Sequence, residues 1–241
     1  MPANNKWEKR FKKINGFWNQ AYSCLLLRYT RFNIKRLRRQ IDRANIDRLH
    51  VGCGNVLLKG WLNVLYEKRQ VYGRLHQDNG ALRLNYNLLK PWPIENNSLE
   101  FIAGSHFIEH LDLNDGIKFL EEAFRVLRPG GVIRLSCPDL EIYANHYVKR
   151  DKNFFEHKLI REWCAFKKAE TPGEIFIAKA YDSGGSHKWF YDFDSLKHIL
   201  ESAGFTQVKK CGRLEGVIPD LETIEPSGRE LETLYVEAVK P

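Results

Sequence analysis

The chain has 241 residues, enough for one core with an appendage or for two small domains. Of these residues, 43% are hydrophobic and 28% are charged, as is usual for a globular protein. Its five cysteines lie far apart and form no C-x-x-C pair, which argues against a disulfide framework and against a cysteine zinc cluster. No apolar run near the start is long enough to span a bilayer or to form a signal-peptide core, so we expect a reducing, cytoplasmic setting.

The positive charge is concentrated in the first segment of the chain. Residues 1–50 hold 13 Lys and Arg against three acidic residues, whereas the remaining chain carries 25 basic and 27 acidic residues. Large apolar residues recur here at helical steps of three and four: Ile14, Trp18, Tyr22, Leu25, Tyr29 and Phe32. We predict a basic, largely helical arm over residues 1–47. Its aromatic face could pack on the main domain, or the arm could bind an anionic partner such as lipid or nucleic acid, which would place the protein peripherally at a membrane surface.

From residue 48 onward, predicted strands alternate with helical stretches. Five strands are predicted, at 48–54, 61–67, 81–88, 99–106 and 132–138. Two late strands, 205–211 and 233–240, are expected to form an antiparallel edge. This order predicts an α/β fold with a Rossmann-like open sheet, mostly parallel, and helices on both faces.

The domain organisation follows from the same pattern. Residues 48–241 are predicted to form one domain, with a mainly helical insertion at 141–186. The D-S-G-G-S loop at 182–186 is rich in small residues, so the insertion is a candidate lid over a substrate.

A glycine turn, Gly52-Cys53-Gly54, follows the first predicted strand. Open α/β sheets bind ligands at the carboxyl ends of their strands, and glycine lets the backbone approach a ligand closely. Only six residues separate Gly54 from Trp61, too few for a crossover helix. The turn is therefore either purely structural or a binding site for a ligand without a pyrophosphate.

Three stretches of the chain, taken together in this order, carry a family resemblance. They are LHVGCGNVLLKGWLNV (49–64), NLLKPWPIENNSLEFIAGSHFIEHL (87–111) and EEAFRVLRPGGVIRLSCPDLE (121–141). They resemble the class I S-adenosylmethionine-dependent methyltransferases, and most closely the methyltransferase type 11-like group with its branch in glycan biosynthesis. The resemblance implies S-adenosylmethionine as cofactor, with Gly52, Cys53 and Gly54 beside its methionine part and Ser105 and His106 at its edge.

The chain departs from the family at two acidic positions. The acid that usually holds the ribose hydroxyls after the second strand is replaced by Leu65, and Glu67 is our substitute candidate. The acid that usually faces the adenine is replaced by Asn87, followed by Leu88. An amide still accepts and donates hydrogen bonds, so binding can survive. The alternatives are a solvated Glu67 and a domain with weak cofactor affinity.

Residues 106–110 match a second pattern. His106, Glu109 and His110 form H-x-x-E-H, a spacing that also occurs in zinc proteases. A zinc site needs a third ligand, and the sequence offers no dedicated one. The family resemblance explains the same residues, because its members typically carry S-S-H-V-L-E-H-L here. We therefore expect no metal.

Methyl transfer to a hydroxyl needs a group that removes the proton. The candidates are His110, His187 and Asp139, in that order, because histidine as a residue type titrates close to neutral pH. The aromatic residues 189–191 after His187 are either a platform for a sugar ring or part of the core.

The resulting hypothesis is an S-adenosylmethionine-dependent O-methyltransferase for a sugar or glycan-linked hydroxyl. One alternative is a nucleic-acid or protein methyltransferase recruited by the basic arm. Another is a non-catalytic methyltransferase-like module. The sequence does not indicate the oligomeric state.

Overall fold

The computed structural model describes residues 34–67, 72–162, 164, 166–181 and 186–241. Residues 1–33, the larger part of the predicted arm, and residues 182–185 of the predicted lid loop lie outside the described residues. Residues 34–43 form a helix, α1, whose Leu37 and Ile41 are buried in the main core.

An eight-stranded sheet with the order β3-β4-β2-β1-β5-β6-β8-β7 forms the centre of the described structure. The strands are β1 (Arg48–Val51), β2 (Leu62–Leu65), β3 (Leu75–Asp78), β4 (Ala81–Asn85), β5 (Leu99–Ser105), β6 (Leu127–Pro138), β7 (Thr206–Cys211) and β8 (Thr233–Val239). The pairs from β4 through β2, β1 and β5 to β6 are parallel, whereas β6–β8, β7–β8 and β3–β4 are antiparallel.

The described helices follow the strands along the chain. They are α2 (Leu113–Val126), α3 (Leu140–Val148), α4 (Lys152–Glu156), α5 (Lys158–Glu162), α6 (Pro172–Ala180), α7 (Phe193–Ser202) and α8 (Leu221–Ile224). Short 3-10 turns cover Ile108–His110 and Arg229–Leu231. Among the described residues, no helix combines the length and the apolar character needed to cross a membrane.

The predicted α/β fold is confirmed: five strands run parallel, and the late strands form an antiparallel C-terminal edge. Strand β3 is an addition that the sequence analysis missed. It pairs with β4 through a two-residue turn in which Asn79 and Gly80 have φ angles of 49° and 80°. This backbone conformation is that of a tight hairpin turn, for which Asn-Gly is a strong sequence signal.

The two faces of the sheet are covered differently. Apolar residues of α1, α2 and α7 pack on one face with Leu49, Ile102 and Leu135 of the strands. The other face holds a smaller cluster, in which Trp61 packs with residues of α8. No helix is described between β1 and β2, as the short spacing predicted.

The helices α3 to α6 have a core of their own. Tyr143 of α3 is the centre of an aromatic group that includes Phe154, Phe155 and Phe176. This group is tied to the start of β8 by buried Glu232, which accepts a hydrogen bond from the Tyr143 hydroxyl and lies 3.0 Å from Lys179 Nζ. The insertion is thus anchored beside the carboxyl edge of the sheet.

Candidate active site

The glycine turn after β1 has one packed side and one open side. Gly52 and Gly54 have φ angles of +64° and +51°, in the left-handed region that glycine adopts most readily. A Cβ added to Gly52 would lie 2.7 Å from Cδ2 of Phe107, so this glycine allows the turn to approach the chain after β5. A Cβ added to Gly54 would meet no described atom within 4 Å. The space over Gly54 is therefore open to a ligand.

Between the two glycines, Cys53 forms part of the wall. Its backbone N–H donates to the carbonyl of Val64 at 3.2 Å, which joins the turn to the end of β2. Burial raises the pKa of the Cys53 thiol to about 11. The thiol therefore stays protonated at neutral pH and lines the turn as a small, uncharged group.

Glu67 is held in place at the end of β2. The amide of Asn85, the last residue of β4, accepts from the Glu67 N–H at 2.8 Å and donates to the Glu67 carbonyl at 3.1 Å. The Glu67 side chain remains 40% exposed and lies 3.8 Å from Arg83. The backbone of Glu67 is thus fixed while its carboxylate can reach solvent or a ligand. Asn85, the residue that fixes it, was not among the predicted site residues.

Asn87 and Leu88 follow β4 at the same edge. The Asn87 side-chain oxygen accepts from the N–H of Leu89 at 3.0 Å, so part of its hydrogen-bonding capacity stabilises the local turn. The Leu88 side chain packs in the main core, and its carbonyl accepts from the indole of Trp92 at 2.9 Å. Only the backbone of Leu88 therefore remains a candidate for ligand contact.

Three tyrosines that the sequence analysis missed line this end of the edge. The rings of Tyr72 and Tyr86 stack with centroids 5.1 Å apart, and Tyr66 meets Tyr72 edge-on at 6.2 Å. Tyr66 and Tyr86 directly follow β2 and β4. Glu67 and Asn87 became candidates because they follow the ends of strands, and the same rule would have identified Tyr66 and Tyr86.

The chain after β5 turns sharply at His106. This residue has a φ of +50°, and its N–H donates to the Ser136 carbonyl at 2.8 Å. The Ser136 hydroxyl in turn donates to the Ser105 hydroxyl at 3.1 Å. The His106 ring lies between two groups: Nδ1 is 3.2 Å from a Glu109 carboxylate oxygen, and Nε2 shares a hydrogen bond with Thr233. His106 is therefore placed to position Glu109.

His110 and His187, the first two base candidates, lie side by side in the structure. The His110 ring is hydrogen-bonded to the carbonyl of Ser186, which is 76 residues further along the chain. The two rings meet edge-on with centroids 4.9 Å apart. The backbone N–H groups of Lys188 and Trp189 donate to the Glu109 carbonyl at 2.8 and 3.2 Å, which fixes the distant segment on the turn. This arrangement forms a cluster of Glu109, His110 and His187, called the Glu-His-His cluster below.

Glu109 is the buried centre of this cluster, with a side chain that is 0% exposed. Burial alone would raise the pKa of its carboxyl, but His106 and then His110 lower it, so that the net shift is below the ordinary value. The group is therefore a carboxylate at neutral pH. Nε2 of His187 lies 4.0 Å from the same carboxylate oxygen that faces His106. No signal in the sequence pointed to the burial of Glu109.

Asp139, the third base candidate, has structural partners. One carboxylate oxygen accepts from the N–H of Glu141 at 2.9 Å and caps α3, and the other lies 3.2 Å from Lys210 Nζ. Both oxygens are thus engaged. A carboxylate that is occupied in this way is poorly placed to take a proton from an acceptor.

Residues 49–135 match the family described as methyltransferase domain. The matched segment supports S-adenosylmethionine-dependent methyl transfer as the activity of this chain. The matched segment contains the glycine turn, Glu67, Asn87 and the H-x-x-E-H motif, whereas Asp139 and His187 lie beyond it. A search of curated proteins gave no match.

Several solved structures are similar to this chain. An S-adenosylmethionine-dependent methyltransferase from Archaeoglobus fulgidus is 18% identical, with 86% of this chain and 92% of that chain covered and a TM-score of 0.46. A possible histamine N-methyltransferase from Thermotoga maritima is 16% identical, with coverages of 90% and 96% and a TM-score of 0.46. A methyltransferase from Mesorhizobium loti is 13% identical, with coverages of 81% and 91% and a TM-score of 0.46. The assignment of the matched segment rests on the family match.

The described residues fit the cofactor. The open space over Gly54 can take the methionine part, since no described side chain fills it. Glu67 would hold the ribose hydroxyls with its exposed carboxylate, and Asn87, together with the Leu88 backbone, would face the adenine. Ser105 and His106, at the end of β5, would border the same space. These individual roles come from the family resemblance and stay predictions.

Proposed function

We propose that this methyltransferase transfers the methyl group to a sugar or glycan-linked hydroxyl at the Glu-His-His cluster. The observation that carries the proposal is the meeting of two histidines on one buried carboxylate beside the glycine turn. Phe107, which packs on Gly52, lies between His106 and Glu109 in the chain, so the cluster and the turn are neighbours.

A hydroxyl acceptor explains why such a cluster is present. S-adenosylmethionine supplies an electrophilic methyl group when it is bound. A neutral hydroxyl is a weak nucleophile, and a positioned base adds roughly 10²–10⁴-fold to the rate of such a step. An acceptor of this class therefore gains more from a base than an already basic amine does.

His110 is the base in this proposal. Its Nδ1 lies 3.2 Å from the carbonyl of Ser186. A carbonyl oxygen only accepts hydrogen bonds, so Nδ1 carries the hydrogen of the neutral ring and Nε2 carries the lone pair that can take a proton. The nearby Glu109 carboxylate stabilises the positive charge that His110 gains, in the way that a buried acid supports the histidine of a catalytic triad.

The surroundings of His187 support a sugar as the acceptor. Of the three aromatic residues that follow it, Tyr191 is 0% exposed and Phe190 packs in the core of the insertion. Trp189 is 41% exposed and directly follows Lys188 on the segment bonded to Glu109. A flat, exposed indole beside the cluster is suited to stack on a sugar ring, while the other two aromatic residues belong to the core.

We further propose that α1 binds an anionic surface, such as acidic lipid, and brings the domain to a lipid-linked acceptor. Leu37 and Ile41 anchor α1 in the core, and Arg38 pairs with Glu95 at 3.0 Å. The basic residues of the opposite side are exposed: Lys35, Arg36, Arg39 and Arg43. Contacts of this type are electrostatic and weaken with salt.

The test uses the full chain with methyl-labelled S-adenosylmethionine and a panel of sugar nucleotides, lipid-linked sugars, oligosaccharides and RNA. We expect label on sugar-containing acceptors, a loss of turnover in His110→Gln, and parent-like turnover in His198→Gln. His198 is an exposed histidine of α7 and serves as the matched control. Label that appears only on RNA or on the protein would contradict the proposal and favour the nucleic-acid or protein alternative. If the cofactor does not bind at all, the non-catalytic alternative is correct.

A further inference from the structure

We propose that the Glu-His-His cluster binds one divalent transition-metal ion, with Zn²⁺ as the reference ion. Binding of the ion does not depend on the acceptor, whereas its role in the reaction rests on the proposed function. The proposal reverses the expectation of no metal, which was based on the absence of a third ligand in the sequence. His187 supplies that ligand group.

The ligand atoms are already close to one another. One ligand atom from each of Glu109, His110 and His187 lies within 4.8 Å of those of the other two. Zn²⁺ binds imidazole nitrogen and carboxylate oxygen at about 2.0–2.2 Å in a tetrahedral arrangement, which places ligand atoms about 3.4 Å apart. The ligand atoms would therefore have to approach one another by about 1.4 Å at most to hold an ion.

Glu109 lacks the hydrogen bonds that a buried carboxylate needs. Among the described residues, neither of its carboxylate oxygens has a hydrogen-bond partner of good geometry, although the side chain is 0% exposed. His106 approaches one oxygen at 3.2 Å as an ion pair. Buried charges in proteins are normally paired, hydrogen-bonded or bound to a metal. A cation between Glu109 and the two histidines would satisfy the carboxylate.

The histidines are oriented as metal ligands usually are. Nδ1 of His110 lies 3.2 Å from the Ser186 carbonyl, and Nδ1 of His187 lies 2.9 Å from the Lys179 carbonyl. Since carbonyls only accept, both Nδ1 atoms carry the hydrogen and both Nε2 atoms carry the lone pair. A histidine that ligates a metal commonly donates its other N–H to a carbonyl or carboxylate, which fixes the ring.

Two imidazoles and one carboxylate form a ligand set of catalytic metal sites, which keep a further position open. A hydroxyl acceptor is of the right chemistry for that position, because a bound divalent ion lowers the pKa of an oxygen ligand. In the metal-bound form His110 is a ligand, and the proton of the hydroxyl leaves to water. Metal content thus decides whether His110 acts as base or as ligand.

The test is a titration of the full chain, free of any histidine tag and stripped by a chelator, with Zn²⁺ in a calorimeter and with Co²⁺ by absorption. We expect one ion per chain and d–d bands typical of low-coordinate Co²⁺. His110→Ala, His187→Ala and Glu109→Gln should each weaken binding at least tenfold, since even changes around the ligands reduce metal affinity 10–100-fold. His198→Ala should bind like the parent.

Two results would overturn the site. In the first, the parent does not bind one equivalent of Zn²⁺. In the second, His110→Ala and His187→Ala bind Zn²⁺ as tightly as the parent does. Thermal unfolding checks that each variant is folded. If Glu109→Gln does not fold, the two histidine variants still decide.

Activity assays separate this inference from the proposed function. Metal binding without methylation of any sugar acceptor would refute the proposed function and leave the site standing. Methylation that is unaffected by chelation, but lost in His110→Gln, would refute the role of the ion and leave His110 as the base.

Discussion

Gly52 and Gly54 share a left-handed backbone but differ in their surroundings, so the same substitution should have different effects at the two positions. An alanine in this conformation costs roughly 1–2 kcal/mol in the folded state. At Gly52 the new Cβ would also lie 2.7 Å from the Phe107 ring and 3.0 Å from its Cβ. Overpacking of this kind costs about 1–3 kcal/mol more. We therefore expect Gly52→Ala to lower the free energy of unfolding by about 3 kcal/mol.

Gly54→Ala is the matched comparison. Its Cβ would enter the open space, where no described atom lies within 4 Å, so only the backbone strain of about 1 kcal/mol remains. The same Cβ would occupy part of the space that we assign to the cofactor. We expect Gly54→Ala to weaken S-adenosylmethionine binding at least tenfold while its stability falls less than that of Gly52→Ala.

Urea unfolding measures the two stabilities, and calorimetry measures the two cofactor affinities. The reasoning would be refuted if the two variants lost equal stability, or if Gly54→Ala bound the cofactor as tightly as the parent. The first result would mean that Phe107 moves away without cost. The second would mean that the cofactor does not lie over Gly54.

Three further predictions concern other parts of the chain. Burial lowers the pKa of His50 to about 4, so that on acidification the unfolded chain binds a proton at this histidine before the folded chain does. The free energy of unfolding should therefore fall by about 3 kcal/mol between pH 6.5 and pH 4. Urea unfolding at both pH values should show a smaller fall in His50→Gln. Asp139→Asn should lower the free energy of unfolding by about 1–2 kcal/mol, because it weakens the helix cap and the ion pair with Lys210. The kcat of this variant should stay within a few-fold of that of the parent. A 100-fold loss of kcat in the folded variant would instead identify Asp139 as the base. Replacing Arg36, Arg39 and Arg43 together by Glu should reduce binding to acidic lipid vesicles at low salt, measured by co-sedimentation, with neutral vesicles as the control; unchanged binding would leave α1 with a packing role.

The sheet was predictable because its signals are local. The short apolar runs at β1, β2, β4, β5 and β6 are bounded by turn residues, and the spacing after Gly54 excludes a crossover helix. The hairpin of β3 and β4 also has a local signal in Asn79-Gly80, but no residue of β3 is buried and no apolar alternation marks it as a strand. Element bounds inside the insertion depended on tertiary packing around Tyr143, which no local pattern reports.

The site was predictable in part. Glycines and polar residues at strand ends are visible in the sequence, because the edge of a parallel sheet collects them. The burial of Glu109 and the meeting of His110 with His187 are not visible, since they arise from backbone hydrogen bonds between segments far apart in the chain. The capping role of Asp139 has a local signal, because this residue lies directly before the first residue of α3. Aspartate at that position is typical of a helix cap, so the sequence favours a structural role for Asp139 over a role as catalytic base.

The central claim is that a hydroxyl is methylated at the Glu-His-His cluster. The most direct measurement is a carbon NMR spectrum of the product formed from S-adenosylmethionine labelled with ¹³C in its methyl group and the best sugar acceptor of the panel. We predict an O-methyl resonance on the sugar that accumulates with the parent and with His198→Gln, and about 10²-fold more slowly with His110→Gln at equal cofactor occupancy. A methyl resonance on nitrogen or carbon, or an equal rate in His110→Gln, would contradict the account.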